Sequence, residues 1–191
     1  DYIDKLATDL AKFCQAFFPR PVIYRATDFK TNEYRSLKGG DKYEPVESNP
    51  MLGFRGAFRY IKNPDVFNLE LEAIKLVRQK KNLTNLHLMI PYVSTVPELV
   101  EVKKLVAAAG LYRSGTFKLW MMVEIPANVI LLDDFLSVGI DGVSIGSNDL
   151  TMLTLGLDRD NQEVASQFDE RNPAVLWALE KTVKTCLKHQ V

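Results

Sequence analysis

Apolar residues along this chain fall into two alternating kinds of run. Over residues 1–18, Ile3, Leu6, Leu10, Phe13 and Phe17 recur at three- and four-residue steps, the stripe of an amphipathic helix. Pro19 and Pro21 end it. Val22-Ile-Tyr-Arg-Ala-Thr27 is a compact block that predicts a buried strand, and Met51-Leu-Gly-Phe-Arg55 reads as a second arginine-bearing strand. Between them, residues 28–50 are polar and carry Gly39-Gly40, Pro45 and Pro50, a long irregular segment of the kind that tends to be functional or mobile. Asn63-Pro64 has the N-cap and first-position signature of a helix whose buried face is Phe67, Leu71, Ile74 and Val77. Leu86–Tyr92 is the next strand. Thr95 and Glu98 have capping-box spacing before a helix lined by Leu99, Val102, Val106 and Ala109 and closed by Gly110. Leu119–Ile125 is a strand, Asn128–Val138 a helix stopped by Gly139, and Gly142–Gly146 a strand. Asn172-Pro173 opens a last helix with Val175, Leu176, Leu179, Val183 and Leu187 inside, while Trp120 and Trp177 read as core.

Strands alternate with helices, and most strands are continuously apolar, which predicts an α/β fold with a parallel sheet covered by helices. Doubly wound and barrel forms both satisfy the pattern. In either, ligand chemistry gathers at the C-terminal ends of the strands. Arg25, Arg55, Glu124, Ser147, Asn148 and Asp149 are the polar residues expected there.

Composition narrows the partners. A chain of 191 residues suffices for one domain, 1–191, with a full core. Its 24 basic and 24 acidic residues balance, so nothing electrostatic points to nucleic acid or an anionic membrane. No apolar run reaches membrane-spanning length, and the N-terminus lacks a signal-peptide pattern. Cys14 and Cys186 lie in helical contexts and read as reduced packing residues; His87 and His189 are too few for a histidine metal site or triad.

Glu124 interrupts an apolar strand, Met121-Met-Val-Glu-Ile-Pro126, and a buried carboxylate needs a metal or a cationic partner. Metal ligation and a structural salt bridge to a neighbouring-strand arginine both meet that need. Asp149, in the small-residue turn Ser144-Ile-Gly-Ser-Asn-Asp149, is either an N-cap for Leu150–Leu155 or a second metal ligand. Two carboxylates together suit Mg²⁺, whose remaining ligands come from substrate and water. Arg25 and Arg55 are either ion-pair partners or a fork for phosphate or carboxylate. Glycines flanking Arg55 allow close backbone approach.

The segments RPVIYRATDFKTNEYRSLKGG, NPMLGFRGAFRY, MIPYVSTVPE, MMVEIPANV, DGVSIGSNDLTMLTLGLDRD and FDERNPAV together resemble the phosphoenolpyruvate synthase (pyruvate, water dikinase) family. The resemblance is to its C-terminal phosphoenolpyruvate/pyruvate-binding barrel domain and runs from about Asp1 to Val191. It implies a (β/α)₈ TIM barrel and a cytoplasmic, gluconeogenic phosphotransferase. That enzyme converts ATP, pyruvate and water to phosphoenolpyruvate, AMP and phosphate with Mg²⁺. It further implies that Arg25, Arg55, Glu124, Gly146, Ser147, Asn148, Asp149 and, in the LDRD motif, Arg159 bind substrate, with Glu124 and Asp149 as the metal ligands. Met152 stands where the family usually has Gln. Another Mg²⁺-dependent phosphoenolpyruvate/pyruvate barrel, a dikinase or a C–C lyase, and a non-catalytic assembly module are the alternatives.

The same resemblance sets expectations about completeness. The family's proton-donating cysteine, in a GICGQ-type motif, belongs beyond Val191, so no catalytic residue is expected within the chain. Its first barrel strand belongs before Asp1. The phosphohistidine and ATP-binding domains of the parent enzyme are the expected partners. The chain reads as a partial barrel lacking first and last strands, with two unpaired sheet edges that favour homo-oligomers and an isolated piece that is inactive alone.

Overall fold

A computed structural model describes all residues, Asp1–Val191. The elements are α1 (Tyr2–Phe17), β1 (Val22–Arg25), α2 (Thr31–Ser36), α3 (Gly56–Lys62), α4 (Pro64–Lys75), β2 (Leu86–Ile90), α5 (Val96–Ala108), β3 (Leu119–Val123), α6 (Pro126–Ile130), α7 (Leu132–Ser137), β4 (Gly142–Ile145), α8 (Ser147–Leu155) and α9 (Pro173–His189). The strands pair in sequence order, β1-β2-β3-β4, and every pair is parallel. A doubly wound sheet reverses its strand order at a switch point. This sheet has no reversal, so right-handed crossovers lay their helices on one face. The result is a four-strand parallel half-barrel with β1 and β4 at its edges.

Burial alternates along β2: Leu86, Leu88 and Ile90 are sealed at 0% exposure, while His87 and Met89 are half-buried. The helix-covered face is therefore closed and the opposite face is open. On the open face Trp120 lies against Gly142, where a Cβ would meet its ring at 2.6 Å. The buried face of α4 is the expected one, with Phe67, Leu71, Ile74 and, in the π-type turn that follows, Val77 all sealed. No helix is long and apolar enough to cross a membrane.

Several elements differ from their sequence reading. Met51–Arg55 is not a strand, and the sheet has four strands rather than five. Pro50–Leu52 forms one 3₁₀ turn, and Arg55 is the N-cap of α3. Gly56 explains the turn. Its φ of +58° is left-handed, and a Cβ there would lie 2.5 Å from Tyr92 Cβ, so the chain turns as it crosses the end of β2. Residues 28–50 contain α2 and a 3₁₀ turn, Gly40–Lys42. Asn128–Val138 is divided between α6 and α7.

Two helices also face the core differently. α1 buries Ala7, Leu10, Ala11 and Cys14, leaving Phe13 and Phe17 out at 59% and 42% exposure. Small side chains let α1 pack close to α4, which the bulkier phenylalanine stripe would prevent. α9 buries Val175, Ala178, Thr182, Thr185 and Cys186, while Leu176, Val183 and Leu187 are exposed, as is Trp177. Burying Thr182 costs little because its hydroxyl donates to the Ala178 carbonyl at 2.8 Å. Cys14 and Cys186 are both free and buried.

Candidate anion and metal site

The strand ends and the loops after them enclose a cleft of about 430 Å³. Arg25, Arg55, Glu124, Gly146, Ser147, Asn148, Asp149 and Arg159 all line it. They arrive from four places: the end of β1, the N-terminus of α3, the exit of β3, and α8 with the loop after it.

Arg55 is the most constrained of them, at 6% exposure. Its Nε donates to Asp28 Oδ1 at 3.1 Å, and Nη2 donates to Asp28 Oδ2 at 2.5 Å and to Asp149 Oδ2 at 3.0 Å. The guanidinium lies 3.7 Å over the Tyr92 ring. Burial works against its charge, but Asp28 and then Asp149 outweigh burial and hold its pKa above the ordinary arginine value. Asp28 moves the other way in stability terms: burial lifts its carboxyl despite Arg55 and Arg25. The two-bond fork is the geometry of an ionised pair, and we read it as one. Arg25 is exposed and has no carboxylate partner; its side chain makes one long hydrogen bond, to Met122 Sδ at 3.9 Å. Arg159 is exposed at the rim, 3.7 Å from Asp160.

Glu124 is 3% exposed, and no arginine or lysine pairs with it, so the salt-bridge alternative does not hold. Oε1 accepts the Tyr92 N–H at 2.6 Å. Asn128 brackets the strand exit: Oδ1 accepts from the Glu124 and Ile125 amides, and Nδ2 donates to the Val93 carbonyl at 2.7 Å. Burial lifts the Glu124 pKa to about 7; the Tyr92 amide opposes this, the charges of Asp28 and Asp149 add to it, and the Arg55 charge, which makes no ion pair with Glu124, offsets a little of it. Gly146 leaves the room Glu124 needs, since a Cβ there would sit 2.4 Å from Oε2.

Ser147, Asn148 and Asp149 form not a turn but the first turn of α8, with Gly146 as N-cap. Asp149 is thus inside the helix and not its cap. The first-turn amides have no intrahelical acceptor, and the positive end of α8 meets the cleft. Composition and spacing did not single out Asp28 or Tyr92. Asp28 had a usable signal: it is an acid three residues past Arg25, just beyond a strand end.

Mg²⁺ fits this donor set. Glu124 Oε2 has no hydrogen-bond partner, Asp149 uses only Oδ2, and buried Glu124 makes no ion pair with any arginine or lysine. No group of three or more His, Cys, Asp or Glu side chains forms a self-contained cage. Two carboxylates with the rest supplied by substrate and water is an ordinary Mg²⁺ arrangement.

A parallel α/β half-barrel with arginines, helix-N-terminal amides and two carboxylates at one end defines a domain suited to a small polyanion and a hard cation. The family model described as PEP-utilising enzyme, PEP-binding domain, matches residues 1–191. The chain belongs to that family. It is 52% identical over 187 residues to a probable phosphoenolpyruvate synthase of Staphylothermus marinus, covering 96% of this chain and 22% of the relative. It is 51% identical to the phosphoenolpyruvate synthase of Pseudomonas aeruginosa and 48% to that of Escherichia coli, each over 190 residues, 98% of this chain and 24% of the relative. The chain thus spans about a quarter of the length of these relatives.

Proposed function

We propose that the cleft is the phosphoenolpyruvate/pyruvate site of a phosphoenolpyruvate synthase, which forms phosphoenolpyruvate, AMP and phosphate from ATP, pyruvate and water. One observation carries this reading: two arginines and the α8 N-terminus share a single cleft with a buried carboxylate that has no ion-pair partner. Arg25, free of acid partners, offers its whole fork to a phosphoryl or carboxylate group. Arg55, stacked on Tyr92 and held by Asp28, presents a fixed positive charge. The Ser147, Asn148 and Asp149 amides hold substrate oxygens. Glu124 and Asp149 would hold Mg²⁺, which when bound neutralises charge on the phosphoryl and enolate oxygens. Together these groups hold pyruvate and spread the charge that grows as its enolate oxygen accepts a phosphoryl group.

In this reading the half-barrel is part of a (β/α)₈ barrel. The phosphohistidine and ATP-binding domains of the same enzyme supply the phosphoryl group, and the enzyme works in the cytoplasm. Calorimetry with phosphoenolpyruvate, with and without Mg²⁺, tests the assignment. Binding that needs Mg²⁺ and disappears in Glu124→Ala is expected. Binding indifferent to Mg²⁺, or none, would point instead to an assembly module.

A further inference from the structure

Behind the cleft floor lies a buried polar cluster whose residues do not line the cleft. Glu70, on α4, is 0% exposed. Its Oε2 accepts the Tyr24 hydroxyl at 2.7 Å and the Thr27 N–H at 3.0 Å, while Oε1 has no partner. From the other side, the Tyr60 hydroxyl donates to the Thr27 carbonyl at 2.6 Å. Tyr60 is itself fixed, 3% exposed and stacked on Phe67 with ring centroids 4.2 Å apart. Both backbone groups of Thr27 are therefore held by side chains from α3 and α4. Thr27 lies between Arg25 and Asp28, and Arg55 immediately precedes α3, which carries Tyr60. The segment after β1 is thus bridged twice to α3, by Asp28–Arg55 at the helix N-cap and by Thr27–Tyr60 one turn further on.

We propose that Glu70 and Tyr60 are positioning residues for the anion site. They clamp the Thr27 peptide so that Arg25 and Asp28, and through Asp28 the Arg55 guanidinium, hold their places. The inference rests on the reading of the cleft as a phosphoenolpyruvate site.

The use of a single oxygen shows what Glu70 supplies. Burying a carboxylate without a cation is costly, and no cation pairs with this one. It serves as one acceptor for two donors, and its charge has no partner to serve. Burial also raises its pKa, and the protonated form, with its proton on the unpartnered Oε1, still offers Oε2. A glutamine can do the same, its amide oxygen taking the place of Oε2. An alanine leaves the Tyr24 hydroxyl and the Thr27 N–H without partners.

The test uses Glu70→Ala, Glu70→Gln and Tyr60→Phe, with two readouts. In the ligand-free protein, amide exchange at Thr27 and the ¹⁵N-resolved Nε–H signal of Arg55 report the clamp and the Asp28–Arg55 fork. With Mg²⁺ and phosphoenolpyruvate, calorimetry reports affinity. Glu70→Ala is expected to lose Thr27 protection, shift the Arg55 signal and weaken affinity at least about tenfold, as removal of an orienting group does. Tyr60→Phe, one hydrogen bond short, should weaken it about fivefold. Glu70→Gln should restore protection, signal and affinity to near the parent values. Unchanged Thr27 exchange and Arg55 signal in Glu70→Ala overturn the clamp, whatever the affinity does. A Glu70→Gln protein that keeps Thr27 protection and the Arg55 signal yet loses affinity as Glu70→Ala does overturns it too, because the hold on Thr27 would then not be what sets affinity. If Glu70→Ala does not fold, Tyr60→Phe decides by the same readouts. If the parent binds no phosphoenolpyruvate, the functional reading falls, and the two spectroscopic readouts still judge the clamp.

Discussion

Glu124→Gln tests whether the cleft holds a carboxylate in waiting for a cation. Burial lifts Glu124 from 4.5 to about 7. A carboxyl whose folded pKa exceeds its unfolded one binds its proton more tightly in the fold. Its stabilising contribution is fully present below pH 4.5 and is lost as pH rises through about 7. The gap between 4.5 and about 7 amounts to roughly 3 kcal/mol at about 1.4 kcal/mol per pH unit. At 3% exposure, solvent screening removes little of it. For a chain of this size, 3 kcal/mol is about 6–12 °C in melting temperature. Glutamine keeps an oxygen for the Tyr92 N–H and has no charge to uncover. Asp28 and Glu70, also raised, slope the same way in both proteins, so the difference between the two curves isolates Glu124. Melting temperature followed from about pH 4 to about pH 9 should fall more steeply for the parent than for Glu124→Gln. Mg²⁺ should recover the parent at high pH and leave Glu124→Gln unmoved. Parallel curves, or equal Mg²⁺ stabilisation of both proteins, would refute the reasoning.

Further outcomes follow from neighbouring contacts. Gly146→Ala places a Cβ 2.4 Å from Glu124 Oε2 at an ordinary φ of −85°; Mg²⁺-dependent phosphoenolpyruvate affinity should drop at least about tenfold by calorimetry, and an unchanged affinity would contradict the geometry. Arg55→Met keeps the contact with Tyr92 but strands Asp28 and Asp149. Urea unfolding should show a loss of about 3–5 kcal/mol, and an unchanged midpoint would mean the pair is not buried as described. Leu71→Ala, at a fully sealed position, should cost about 2–5 kcal/mol in the same assay. The unpaired edges of β1 and β4, with Trp177 and Leu187 exposed, should make the protein self-associate; a monodisperse monomer by light scattering would argue otherwise.

Where local chemistry is strong, the chain was legible. Asn63-Pro64, Thr95 and Asn172-Pro173 start helices where capping requires, and the apolar blocks at Leu86 and Leu119 become strands. The strand-end logic brought Arg25, Glu124 and the Gly146–Asp149 segment to one cleft, because a parallel sheet puts all its strand ends on the same side; Arg55 reaches it from the N-terminus of α3 instead. Long-range packing decided the rest. α1 and α9 each carry two plausible stripes, and only the neighbouring helix selects the small one. Met51–Arg55 has strand-like composition, but the close approach of Gly56 to Tyr92 is invisible along the chain. Asp28 and Glu70 matter through partners 27 and 46 residues away, Arg55 and Tyr24, and no local pattern announces such pairs.

Strand pairing follows chain order, so each strand of the sheet pairs only with its neighbours along the chain, Val22 with Leu86, Leu88 with Leu119 and Trp120 with Gly142. The cleft cannot be assembled that way. It needs Arg25 from the first strand and Ser147–Asp149 from beyond the last, and its bond between Arg55 and Asp149 joins residues 94 positions apart. It draws on both edge strands, so a ligand held there recognises only chains whose sheet is complete. At a hundredfold excess over its Kd, such a ligand adds about 2.7 kcal/mol to the finished state by mass action. Resistance to protease on adding ligand would therefore measure whether the whole chain has folded, from its first strand to its last.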